Sequence, residues 1–183
     1  LTGQAGIIYQ SRGSANVALF PLAEAELKSV AHFEIPPDKA DHAIELPTKF
    51  PGLHRIEVSD STQGTRITWP DGTPMTILSS QEQPAKLFGR WHLYFYVPKG
   101  TKMIGGFSEG AGLLLDPHGK TAHTFSDKPG YFSIPVPNGE DGKLWSFKHS
   151  AGSRHLMTVP PCLARDASEL LLPEEVILKD ASP

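Results

Sequence analysis

The sequence predicts an all-β protein, an antiparallel β-sandwich of jelly-roll type with one short helix near the C-terminus. Three observations carry that expectation. Apolar residues recur at alternate positions over short runs, Gly and Pro number 17 each and punctuate those runs, and only one late segment carries helix-capping chemistry. Many short strands separated by turn residues are the pattern of a sandwich.

Candidate strands occupy 6–10, 16–21, 29–35, 43–46, 52–59, 65–69, 74–78, 91–97, 103–107, 112–116, 121–125, 130–136, 143–148 and 154–158. Pro36-Pro37 and Gln81 to Pro84 read as exposed connections. Two turns, Trp69-Pro70-Asp71-Gly72 and Asp116-Pro117-His118-Gly119, place Pro where φ near −65° is wanted and Gly where φ is positive, so each is expected to close a hairpin. Asn138-Gly139-Glu140-Asp141-Gly142 is a third strong turn. Pro and Gly follow an apolar strand end at Leu46-Pro47, Val97-Pro98 and Val136-Pro137; this reads as strand-exit chemistry, since Pro donates no ladder hydrogen bond. Near the C-terminus Asp166 is placed to cap, Glu169 follows three residues later, and Pro173 ends the run Leu170-Leu171-Leu172, so a short helix is expected there.

The chain reads as one domain, 1–183, with any subdivision near 81–90. Its 183 residues can bury a real core. Hydrophobic content of 39% and charged content of 20% are ordinary for a globular protein, and no run approaches the roughly 20 apolar residues of a membrane span. With a net charge of −3 and its Lys and Arg scattered, the chain lacks the basic footprint of a nucleic-acid binder. No membrane or nucleic-acid partner is expected. The start at Leu1 without Met or a signal-like segment reads as a processed protein or a piece of a longer one.

The most informative segment is 91–97. Alternation puts Trp91, Leu93, Phe95 and Val97 on a core face and His92, Tyr94 and Tyr96 on the other. Two tyrosines and a histidine suit a platform on which a sugar ring stacks, with polar tips for its hydroxyls. The competing reading is that a second layer, such as the segment through Leu170 to Leu172, covers that face. Trp69 shares parity with Ile67, and Trp145 with Phe147, so both tryptophans are expected in the core.

Catalytic signals are thin. Gly106-Phe107-Ser108-Glu109-Gly110 matches the G-x-S-x-G pattern, but that elbow needs a helix after it, and Ala111 to Leu115 continues as a strand. Cys162, flanked by Val159-Pro160-Pro161 and Leu163, reads as a buried, unreactive thiol. The eight histidines form no H-x-H or H-E-x-x-H spacing, so no metal site and no cofactor is assigned. A structural calcium is the exception to consider, with Asn138 to Asp141 offering hard oxygen ligands. Glu109, Asp116, Asp127, Glu140 and Asp141 are acids of the kind glycoside cleavage uses, but they fall in turns where solvated charge is the ordinary explanation.

The segments Leu93 to Lys102, Leu115 to Lys120, Val136 to Ser146 and Val159-Pro160-Pro161 together resemble the non-catalytic β-sandwich modules of large secreted bacterial glycan-degrading proteins. The resemblance covers about half the chain, from Leu93 onward. It implies an extracellular or periplasmic carbohydrate-binding accessory module, binding polysaccharide or oligosaccharide beside a linked catalytic domain. The alternatives are a structural or interaction domain whose tyrosine face packs on a neighbour, and a small glycan hydrolase or lyase.

Overall fold

A computed structural model of the chain describes residues 2–4, 13–22, 28–47, 51–60 and 64–181. The protein is mostly β, arranged in several antiparallel sheets, with one short helix at the C-terminal end. The chain divides into two compact units, Leu1–Pro70 and Asp71–Pro183. The division falls within the turn Trp69-Pro70-Asp71-Gly72, and 81–90 lies inside the second unit.

The first unit holds β1 (Thr2–Gln4), β2 (Ala15–Pro21), β3 (Ala31–Ile35), β4 (Asp41–His42), β5 (His54–Ser59) and β6 (Thr65–Ile67). β1 lies between β4 and β6, and β2 between β3 and β5. Alternate residues of β2, namely Ala15, Val17, Leu19 and Pro21, are buried, as a half-buried strand requires. Ala15, Val17 and Ile35 form a small core on which Phe33, Ile44 and Ile56 pack. The strand expected over 43–46 is displaced: pairing occurs at Asp41–His42, and Ile44 contributes to the core without a ladder. The expected strand 6–10 lies outside the described residues.

The second unit comprises β7 (Ile77–Leu78), β8 (Trp91–Val97), β9 (Met103–Ser108), β10 (Gly112–Leu115), β11 (Thr121–Phe125), β12 (Gly130–Pro135), β13 (Lys143–Ser150), β14 (Arg154–Leu156), β15 (Cys162–Leu163) and α1 (Glu174–Ala181). A four-stranded sheet runs β11-β10-β13-β8, a three-stranded sheet runs β12-β9-β14, and β15 pairs with β7. One core draws on both larger sheets: Leu93, Phe95, Trp145 and Phe147 from the first meet Ile104, Ile134 and Leu156 from the second. Phe95 stacks on Phe147 with centroids 4.9 Å apart. Each such ring removed from water contributes about 2 kcal/mol or more, so this cluster dominates the unit's stability.

Of the two turns expected to close hairpins, one does. At Asp116-Pro117-His118-Gly119 the Asp116 carboxylate accepts from the backbone N–H groups of His118 and Lys120, both at 2.9 Å, and Gly119 takes φ +78°. The register shifts between Leu114 and Leu115, the bulge that links β10 to β11. At Trp69 to Gly72 the turn forms, with Gly72 at φ +74°, but β6 pairs with β1 and β7 with β15. Local chemistry made the turn; distant partners took both strands.

The C-terminal helix also differs from expectation. Asp166 accepts from Ser168 N–H and caps only a single 3-10 turn, Ala167–Glu169. The Glu169 carboxylate is gripped by the Arg165 guanidinium at 2.6 and 3.1 Å. Pro173 then starts the helix instead of ending it: its carbonyl accepts from Val176 and Ile177, and α1 follows at Glu174.

Trp145 is buried as expected, its indole N–H donating to the Glu140 carbonyl at 2.9 Å. Trp69 is not a core residue: it is half-buried, and its parity partner Ile67 is exposed, since β6 is short and faces water. Cys162 is buried, and burial pushes its thiol up to about 11, out of nucleophilic range at neutral pH. Ser108 sits at the end of β9 with β10 following, and its hydroxyl donates to the Gly110 carbonyl, so the geometry of a nucleophile elbow is absent.

Candidate functional site

β8 follows the alternation of its sequence. Leu93, Phe95 and Val97 are buried, and Trp91 is half-buried at the rim of the core, edge-on to Phe147 at 6.0 Å. His92, Tyr94 and Tyr96 point the other way, but the three are not equivalent. His92 is exposed, and its ring lies 4.8 Å from that of Tyr94 with the planes 34° apart. Partial burial first, then the positive charges of Lys148 and His149, hold the His92 pKa below the ordinary histidine value. The imidazole is therefore neutral at pH 7, able both to donate and to accept a hydrogen bond.

Tyr96 is tied down. Its hydroxyl donates to the Asp180 carboxylate of α1 at 2.6 Å, and the same carboxylate accepts from Lys99 N–H at 3.1 and 3.2 Å. The Lys99 ammonium donates to the Asp180 carbonyl. The C-terminal segment does reach β8, at the Tyr96 side chain through Asp180 of α1 and at the Tyr94 backbone through Ala164. His92 and the half-buried Tyr94 form the accessible part.

This latch gives a pH signature. Burial, then the hydrogen bond to Asp180 and its charge, raise the Tyr96 pKa to about 12. The unfolded chain ionises this phenol near 10, so between about pH 10 and 12 the unfolded state loses its proton first, and stability falls as pH rises through that window. An ultraviolet phenolate titration is expected to show one tyrosine ionising last, and Tyr96→Phe to remove that late step.

A second aromatic surface lies on the outer face of the three-stranded sheet. Register places Tyr131, Phe107 and His155 side by side across β12, β9 and β14. Tyr131 is 74% exposed and meets Phe107 edge-on at 5.1 Å; Phe107 in turn packs on the buried His155 at 5.8 Å. Gly105 and Ser133 form the adjacent row, with the half-exposed Met103 and Met157 nearby. A groove of about 380 Å³ runs beside the Tyr131 ring, lined among others by His123, Lys128 and Phe132. Sequence reasoning missed this surface, although the signal existed: in the strand 130–136, Tyr131 shares parity with the polar Ser133 and not with Ile134.

The acidic candidates do not converge. Asp116 is spent on its turn, Glu140 pairs with His118 at 3.2 Å and Lys143 at 3.3 Å, and Asp141 accepts from Gly100 N–H at 2.6 Å. That last bond is the main reason the Asp141 carboxyl titrates below its ordinary value. The loop proposed for calcium thus has both carboxylates engaged by protein donors. Among the described residues no group of three or more His, Cys, Asp or Glu side chains is arranged to hold a metal ion. Nor is any helix there long and apolar enough to cross a membrane.

Comparison with family models, with curated proteins and with solved structures returned no match.

Proposed function

We propose that the second unit is a glycan-binding accessory module, a β-sandwich of jelly-roll type that holds a linked catalytic domain against polysaccharide outside the cell. The observation that carries this reading is the Tyr131 ring, 74% exposed yet braced edge-on by Phe107 on a paired strand. An aromatic face held rigid in water loses little conformational entropy when a sugar ring stacks on it. Ser133, Lys128 and His123 stand around it to meet hydroxyls. The His92–Tyr94 pair on β8 is a smaller platform of the same kind, with a neutral imidazole in place of a second phenol. Contacts of this sort give modest affinity at one site, and tethering converts it into a high local concentration of enzyme at a polymeric substrate.

The exposed methionines Met103 and Met157 beside Tyr131 favour a second reading, in which the same face packs against a neighbouring domain of a longer polypeptide. Affinity electrophoresis through gels holding plant, algal and microbial polysaccharides separates the two. The glycan reading expects retardation by at least one polymer and about tenfold weaker binding in Tyr131→Ala, roughly 1.4 kcal/mol, with circular dichroism unchanged. Tyr94→Ala is expected to have the smaller effect. Absence of retardation across the panel overturns the reading.

A further inference from the structure

On the opposite side of β9 from the Tyr131 groove, a second groove of about 520 Å³ opens between the segment 86–90 and the loops carrying Glu109 and Ala151 to Ser153. Phe88 stands in its wall, 68% exposed. Lys86 and Arg90 line it as exposed side chains with no ion pair or hydrogen bond among the described residues, and Glu109 is its one carboxylate.

Beneath its floor lies a third cation. Arg154 is fully buried. One terminal nitrogen donates to the Ala151 and Ser153 carbonyls, both at 3.0 Å, and the other to Gly110 at 2.6 Å and Ala111 at 2.9 Å. Its Nε has no partner among the described residues, and the guanidinium lies 4.6 Å from the Phe125 ring centroid and 5.8 Å from that of Trp91. Burial lowers its pKa to about 10, so the charge remains at neutral pH. Among the described residues no carboxylate pairs with it. The floor carbonyls that would favour a cation are taken: Ala151 and Ser153 by Arg154, and Gly152 by the Trp91 indole N–H at 3.0 Å. In a weakly screened interior such a charge acts through the floor on whatever occupies the groove.

We propose that this groove binds the acidic units of a polysaccharide, sugars bearing a carboxylate or sulfate, by stacking on Phe88 while the rim cations Lys86 and Arg90 meet the anion above the buried Arg154 charge. This deepens the glycan-binding reading and rests on it. A neutral sugar has no use for two exposed rim cations, and a simple anion has no use for an exposed phenyl face. Single-stranded nucleic acid also combines rings with charge, but two rim cations on a chain of net charge −3 are far short of the basic track it requires.

The test measures affinity of the full chain for polygalacturonate and alginate as uronates, dextran sulfate and chondroitin sulfate as sulfated polymers, xylan and dextran as neutral ones, with poly-glutamate and oligo-dT as non-glycan anions. Binding to an acidic glycan that weakens with added salt, and about tenfold in Phe88→Ala and in the pair Lys86→Glu/Arg90→Glu, supports the proposal; the uronate and sulfate arms identify the anion. All three substituted side chains are exposed, so folding is expected to persist. Acidic binding indifferent to these variants, or equal binding of poly-glutamate or oligo-dT, overturns it. Binding of neutral glycans alone, lost in Tyr131→Ala, overturns this inference and leaves the glycan reading standing. No binding to any polymer overturns both.

Discussion

Arg154→Met is expected to destabilise the second unit by about 4 kcal/mol, the scale set by removing the charged member of a buried hydrogen-bonded network. Methionine approximates the volume of the stem and keeps apolar packing, so the loss reports the hydrogen bonds together with the guanidinium's contacts on the Phe125 and Trp91 rings. Four carbonyls, of Gly110, Ala111, Ala151 and Ser153, lose their shared donor at once. They belong to two loops packed back to back: a Cβ on Gly110 would lie 2.6 Å from the Ala151 carbonyl, and one on Gly152 2.4 Å from that of Glu109. Water has no room to replace the guanidinium without parting them. Arg154→Lys keeps the charge but not the planar fork, and an intermediate loss of about 2 kcal/mol is expected. Urea unfolding followed by far-ultraviolet circular dichroism checks both; a Met variant within about 0.5 kcal/mol of the parent refutes the account.

Gly106→Ala is expected to cost about 3 kcal/mol by overpacking. β9 is the central strand of its sheet, and a Cβ at Gly106 would sit 2.1 Å from the His155 carbonyl and 2.7 Å from Cζ of Phe132. The first is backbone and cannot swing aside, so relief requires β14 to move away from β9. Gly130→Ala is the control. Its Cβ would meet nothing within 4 Å, and a change within about 0.5 kcal/mol is expected. Thermal melts of the two variants side by side decide whether crowding, and not loss of glycine as such, sets the difference.

Where side-chain periodicity and burial coincide, the fold was legible. The run 91–97 forms β8 with the anticipated bounds, and its alternation sorts Leu93, Phe95 and Val97 from His92, Tyr94 and Tyr96. The Asp116 turn was legible because every group that makes it lies within five residues. Pairing was not, because partners are chosen at long range: nothing around Gly72 tells that Ile77 will pair with Leu163. The cap at Asp166 was legible and forms, but it closes only one 3-10 turn, with Glu169 held by Arg165 four residues before it. At the candidate site, the side on which each residue lies could be read, but exposure could not. Tyr96 and Tyr131 are alike in sequence terms; one meets Asp180 across 84 residues, and the other meets water.

The contact between Tyr94 and Ala164 bears on how this protein behaves at high concentration. β8 ends its sheet, and Trp91 to Val97 is an apolar, aromatic, proline-free run of the type that recruits a matching strand from another molecule. Ala164 fills the middle of that open side, exchanging both backbone hydrogen bonds with Tyr94 at 2.8 and 2.9 Å, and Asp180 takes the N–H of Lys99 just beyond the strand. The C-terminal segment is thus a built-in stopper against strand-to-strand aggregation. A fragment ending before Pro161 retains β8 through β14 yet loses the stopper together with the core residue Leu163, so a shortened chain faces a solubility problem on top of its lost packing.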